Sequence, residues 1–201
     1  MALLFTESGG FVLPSDISGR IGLQGAHRGE RRVLPMKTEF PDGRMKNRHK
    51  EKALHFFSEH FHCSQSVLAA FAEECGLTEE QALKLGACFG SGMRKGEVCG
   101  ACTGALMVLG LLYGQSDKED LESRMQANRV NEAMMERFSE KCGSYICNEL
   151  LGCDVRTEQG IQYAREHNLF TELCPRMVEN AVEVLEKIIS EENRKGMWRN
   201  D

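Results

Sequence analysis

Residues 86–104, GACFGSGMRKGEVCGACTG, constrain this chain more than any other stretch. Glycine accepts positive φ and close backbone approach, so a segment carrying Gly86, Gly90, Gly92 and Gly96 can fold tightly over the thiol that follows it. Cys99 then opens an apolar helix that continues through ALMVLGLLY to Gly114. That helix is apolar nearly all round, so its neighbours must bury it. The expected fold is all-α: a compact multi-helix bundle around a buried apolar helix at about 99–113. The glycine loop and Cys99 are the expected working centre.

The flanking sequence supplies the other helices. Residues 46–59 are charged, with Ala53, Leu54, Phe56, Phe57 and Phe61 at roughly helical spacing, and His60-Phe61-His62 breaks the pattern. A second helix is expected from Cys63-Ser64, carrying Val67, Leu68, Phe71 and Ala72 inward and stopping at Gly76. Thr78 and Gln81 form a capping box for a third, through Leu83 and Leu85. Asp117 is the expected cap of a long helix to about Lys141, amphipathic through Leu121, Met125, Val130, Met134 and Phe138, with Cys142-Gly143 as its stop. Ser144 should cap a short helix with Cys147, Leu150 and Leu151 that Gly152 closes. Another runs from Thr157 through Ile161 and Tyr163 to near Asn168. Thr171 and Pro175 open the last, whose Val178, Ala181, Val182, Leu185, Ile188 and Ile189 make one apolar stripe. No run alternates as a strand would.

Charge and length narrow the function. The 201 residues carry a net charge of −5. Residues 1–50 are net +4 and the remaining 151 are net −9. An acidic body argues against nucleic acid as a partner, since phosphate binding needs a basic face. The longest apolar run, residues 101–113, is shorter than the roughly 20 residues of a membrane-spanning helix. The opening MALLFTESGG lacks the basic start and apolar length of a secretory signal, so a cytoplasmic protein is expected.

Nine cysteines remain to be explained. In a reducing compartment such thiols are reactive, metal-binding or simply buried, rather than a disulfide framework. Cys63, Cys99, Cys147 and Cys174 fall at or within the first turn of an expected helix, where the partial positive charge lowers a thiol pKa. Arg94 and Lys95 could lower that of Cys99 further if the loop folds back. Cys75, Cys88 and Cys142 fall at helix ends, where the dipole acts the other way, and suit the small-hydrophobe role that buried cysteine often takes. Cys99 and Cys102 form a C-x-x-C without the βαβ setting of a thioredoxin, and Thr103 stands where a haem-attachment motif needs histidine. The paired C-x-x-C spacing of a zinc ribbon is absent, so zinc or an iron–sulfur cluster would need ligands from four separate helices. His62 beside Cys63 could serve as base or ligand, although a histidine in a charged helix break is more often solvated. The glycine loop lacks the lysine and hydroxyl of a phosphate loop and follows no strand.

HCSQSVLAAFAEECGL, then GSGMRKGEVCGACTGALMVLGLLYG, then CNELLG and CPRMVENAVEVLE together resemble the bacterial C_GCAxxG_C_C family, marked by four cysteines and a CGAxxG motif, over residues 45–189. The resemblance places the four family cysteines on Cys63, Cys99, Cys147 and Cys174, with Gly100, Ala101 and Gly104 completing the motif in a structural or binding role. It implies a redox function, an unidentified thiol or electron-transfer partner, and association with transporters. Cys75, Cys88, Cys102, Cys142 and Cys153 are additional to the family pattern, and Cys102 offers Cys99 a second candidate partner. The expected function is therefore thiol-based redox chemistry. Cys99 would attack a disulfide or peroxide, and a second cysteine would resolve the intermediate. A zinc or iron–sulfur protein using the same four cysteines is the alternative, and a non-catalytic helical module attached to a transporter is the third reading.

Residues 1–44 carry scattered Gly, Pro and Arg with no sustained period and have no counterpart in that family. They are expected to be a disordered extension, with Met45 as the working initiator or the segment acting as a basic targeting or partner-binding arm. Residues 45–201 form the expected single cysteine-rich domain. Deleting residues 1–44 should then leave the thermal midpoint nearly unchanged in calorimetry; a large drop would show that the segment packs on the core.

Overall fold

A computed structural model describes residues 47–197. The extension expected at residues 1–44 lies outside them. The described chain is all-α, with eight helices: α1 (Arg48–Ser58), α2 (Cys63–Ala70), α3 (Glu79–Gly86), α4 (Gly100–Tyr113), α5 (Leu121–Cys142), α6 (Cys147–Leu151), α7 (Glu158–Glu166) and α8 (Cys174–Met197). Among the described residues no helix is long and apolar enough to cross a membrane.

Helix α4 packs against α2, α5 and α8, burying Ala101, Cys102, Ala105, Val108 and Leu109. Val67, Leu68 and Phe71 meet it from one side, Met134 and Phe138 from another, and Val178, Val182 and Leu185 from the third. Each large side chain removed from water in this core contributes roughly 1.5–3 kcal/mol. Burial does not extend to the helix end, because Leu111 is 45% exposed.

The capping signals explain most boundaries. Thr78 accepts the Gln81 N–H while Gln81 Oε1 accepts the Thr78 N–H at 2.9 Å, closing the box that starts α3. Thr157 accepts the Gly160 N–H at 3.0 Å to start α7. Gly143 and Gly152 take φ of +90° and +64° and end α5 and α6.

Four expected details differ. Helix α2 ends at Ala70 rather than Gly76, because the chain tightens into short-range turns, with the N–H of Phe71 donating to Leu68 O and that of Ala72 to Ala69 O. Helix α5 is capped by Asp120, whose carboxylate accepts the Ser123 N–H; Asp117 instead accepts the Glu119 N–H within the preceding turn. The first turns of α5 also run beyond the bundle, leaving Leu121 and Met125 exposed while Val130, Met134 and Phe138 are buried. Ser144 does not cap α6: its hydroxyl accepts the Ile146 N–H, and the helix starts one residue further on.

The tightened turn after α2 completes a buried charge cluster. His49 stacks on Phe71 at 4.1 Å between ring centroids. Its Nε2 lies 2.8 Å from Glu74 and its Nδ1 2.9 Å from Glu186, so one imidazolium links α1, the turn after α2, and α8. Burial disfavours its charge, but hydrogen bonds to Glu186 and Glu74 outweigh that and raise its pKa from 6.5 to about 9. Burial likewise opposes charge on Glu74, and the His49 hydrogen bond overrides it to lower that carboxyl.

A raised histidine pKa contributes stability that is complete below pH 6.5 and is lost as pH climbs through about 9. On the order of 3 kcal/mol at most is at stake. The Glu74 contribution is present above its unfolded pKa and fades as pH falls below it. Urea midpoints should therefore fall between pH 6.5 and 8.5, and His49→Gln should flatten that decline. A wild-type curve already flat over this range would show that the cluster is not charged.

Candidate functional site

A close approach between two helices sets the site. A Cβ on Gly104 would stand 2.7 Å from Ser64 O and 3.1 Å from Val67 Cβ, and one on Gly100 would overlap Cys63 Sγ. Only glycine at both positions lets α4 lie this close against the first turn of α2. Ala101, between them, is fully buried. On the opposite side of the α2 start, Ser64 Oγ donates to Gly86 O at 2.8 Å, and a Cβ on Gly86 would stand 2.9 Å from Gln65 Cα. The first turn of α2 is wedged between three glycines.

Four helices begin at cysteines around this wedge. Cys63, Cys147 and Cys174 are the first residues of α2, α6 and α8, and Cys99 is the N-cap residue of α4. All four line one cavity of about 560 Å³. Backbone pairing fixes two of them: the Cys99 N–H donates to Tyr145 O at 2.8 Å and the Cys147 N–H to Glu97 O at 2.7 Å. Asn148 extends that clamp. Its side chain fills the space that a Cβ on Gly96 would need, its Oδ1 accepts the Val155 N–H at 3.1 Å, and its Nδ2 donates to Asp154. The glycine loop before α4 and the segments around α6 are thus held together through backbone groups and one amide.

All nine cysteines are free thiols in this structure. Burial pushes Cys99 well above the ordinary thiol range, with the Cys63 and Cys147 thiols adding to it and the Ala101 and Cys102 N–H groups pulling the other way. Burial also raises Cys63, against four backbone N–H groups, those of Ser91, Ser64, Cys63 itself and Ala101. Cys147 and Cys174 are pushed up to about 12, by burial first and then by neighbouring thiols. The expectation of lowered pKa values at these helix starts is therefore corrected. Desolvation exceeds the amide stabilisation, and the charges acting on Cys99 come from other thiols rather than from Arg94 or Lys95.

Cys102 does not join the set. The N-cap residue Cys99 has extended backbone, φ −52° and ψ 131°, which turns its side chain into the cavity. Cys102 lies inside the helix and faces α5, its Sγ 3.6 Å from Met135 Sδ. Burial raises it to about 12, with the Cys142 thiol adding to this. The C-x-x-C is thus split between two environments. Cys142 meets Asn180 at 3.4 Å, Cys75 is partly buried beside Glu74, and Cys88 is exposed. Cys153, additional to the family pattern, lies near the set: its thiol acts on both Cys147 and Cys174. Its position just past the Gly152 turn, six residues after Cys147, was the available signal. His62 is exposed on the rim of the cavity, with its ring where a Cβ on Gly90 would be.

Among the described residues, no three His, Cys, Asp or Glu side chains are grouped so as to hold a metal ion. The donor set in this arrangement does not fit zinc or an iron–sulfur cluster, which needs thiolates converged at bonding distance.

Residues 61–188 match the family described as "Putative redox-active protein (C_GCAxxG_C_C)". No curated protein and no solved structure matches the chain.

Two glycines on α4 should respond to alanine with opposite signs. Gly100→Ala forces the Cys63 side chain aside and should destabilise by about 1–3 kcal/mol. Gly110→Ala meets nothing within 4 Å, and should stabilise by about 0.5–1 kcal/mol through helix propensity. Urea melts read both, and equal effects would refute the close packing at Gly100.

Proposed function

Since the chain belongs to the C_GCAxxG_C_C family, described by redox activity, we propose that it is a thiol–disulfide redox protein working through Cys63, Cys99, Cys147 and Cys174. The observation that carries this is the opening of four separate helices, each at one of these cysteines, onto a single cavity. A metal is not needed to account for that convergence, and simple packing would not call for four thiols to share one space.

The electrostatics divide the roles. Four backbone N–H groups act on the Cys63 sulfur, whereas Cys99 draws on those of Ala101 and Cys102 and is raised further by the Cys63 and Cys147 thiols, so Cys63 is the attacking thiol. Cys99 is buried beside it and resolves. This reverses the role that sequence position gives Cys99. Cys63 loses its proton to solvent and its thiolate attacks one sulfur of a substrate disulfide, expelling the other as a thiolate that takes up a proton. Cys99 then gives up its proton and attacks the Cys63 sulfur. The second substrate thiol leaves, and a Cys63–Cys99 disulfide remains. Two electrons and two protons pass from protein to substrate, and the reverse sequence oxidises a dithiol. Cys147 and Cys174 line the same cavity, and in this reading they are the thiols to which the disulfide would pass onward.

Mild oxidation should lower the intact mass by two hydrogens, with peptide mapping placing the bond between Cys63 and Cys99. Cys63→Ser or Cys99→Ser should each abolish that bond, and Cys88→Ser should leave it intact. Because the Cys63 pKa is raised, the exchange rate should keep climbing about tenfold per pH unit to pH 9 instead of levelling off earlier. Oxidation confined to the other five cysteines would overturn the assignment.

A further inference from the structure

The wall of the cavity above the thiols differs in charge from the rest of the molecule. Phe57, Phe61, Ile161, Phe170 and Met177 make it apolar. At its rim stand Arg94 and Arg165, with His60 and His62. Among the described residues no Asp or Glu lines it, although the chain carries 30 of them against 25 Lys and Arg. Among the described residues, eight of the fifteen other Lys and Arg are engaged: Arg48, Lys50, Lys52, Lys84, Arg137, Lys141, Arg156 and Lys195 each pair with a carboxylate. Neither Arg94 nor Arg165 takes part in any such pair among the described residues.

The loop that holds Arg94 is strained. Ser91, Met93 and Arg94 take φ of 53°, 55° and 60°, the left-handed region that side chains other than glycine's rarely adopt. Each such residue costs on the order of 1–2 kcal/mol. The surrounding packing maintains that cost in a segment that places one of the two guanidiniums at the cavity mouth.

We infer that this cavity binds a small organic anion with an apolar body, and that the protein's redox substrate is an anionic disulfide, or the corresponding thiol, of that kind. The inference rests on the thiol reading above. A volume of about 560 Å³ suits a ligand with one or two rings, within the usual range for small-molecule sites. The apolar wall takes the body, the two guanidiniums take carboxylates by paired N–H donation, and the sulfur–sulfur bond lies toward Cys63. The electron count is that of simple exchange: the disulfide gains two electrons and two protons and leaves as two thiols, while Cys63 and Cys99 become linked.

Binding and chemistry are separable in the full-length chain. In Cys63→Ser/Cys99→Ser protein, which has no exchange, calorimetric titration should detect naphthoate and give a far weaker signal with naphthylmethylammonium, the cation of matching shape. Adding Arg94→Gln/Arg165→Gln should weaken naphthoate roughly tenfold. Both arginines are exposed and unpaired, so circular dichroism should show the fold retained. In protein with all its cysteines, the ratio of exchange rates with dithiodibenzoate and with cystamine should fall by a similar factor in the arginine variant. Equal binding of the two naphthyl ions, or an unchanged ratio, overturns the ligand inference while leaving thiol exchange standing. Anion-selective binding with no Cys63–Cys99 disulfide from either substrate overturns the thiol reading and its substrate, leaving only an anion-binding cavity.

Discussion

The site depends on how closely two helix backbones can approach. Where α4 crosses the first turn of α2, Gly100 leaves room for the Cys63 sulfur and Gly104 leaves room for the Ser64 carbonyl. With any side chain at either position the helices would separate, and the amide groups of Ala101 and Ser64 would no longer reach the same sulfur. The motif of glycine, alanine and glycine after Cys99 is therefore a packing device that also places backbone dipoles around a thiol. Gly86 repeats the device from the α3 side, so the start of α2 is positioned by backbone contact on two faces.

Much of the fold was legible in the sequence because its determinants are local. The Thr78–Gln81 box, the Thr157 cap and the left-handed glycines at 143 and 152 each act within a few residues, and each marks a boundary that exists. The α2 end was not legible, since it depends on His49 stacking on Phe71 and pairing with Glu74 and with Glu186, 137 residues away. Exposure of Leu121 and Met125 was hidden for a related reason: an apolar helical period shows that a face exists, but where its partner stops is a tertiary fact. Within the site, helix position singled out the four cysteines that share the cavity. It gave the wrong direction for their acidity, because the dipole argument counts the amides near a sulfur and omits the water removed from it. The separation of Cys102 from Cys99 was likewise invisible at the level of C-x-x-C spacing. It follows from an extended N-cap backbone beside a helical one.

Raised thiol pKa values and a cationic, acid-free cavity mouth belong together. A buried thiol that is neutral at rest resists indiscriminate oxidation, because the thiolate is the reactive form. A ligand that brings its sulfur to Cys63 and its charge to Arg94 and Arg165 would react where a bulk oxidant is slow. The rest of the body is acidic, net −9 over residues 51–201, and so disfavours anions in general.

The order of the four helix starts along the chain also matters during synthesis. The crossing of α2 on α4 uses only residues 63–113, so Cys63 and Cys99 can be framed by their own helices while Cys147 and Cys174 are still unmade. The later half of the chain would then dock against that pair: the Cys147 N–H reaches the Glu97 carbonyl, the Tyr145 carbonyl takes the Cys99 N–H, and α8 completes the core. The nascent chain would thus hold one native thiol pair in place before most of its competing thiols are positioned, a vectorial protection against mispairing that depends on which helix comes first.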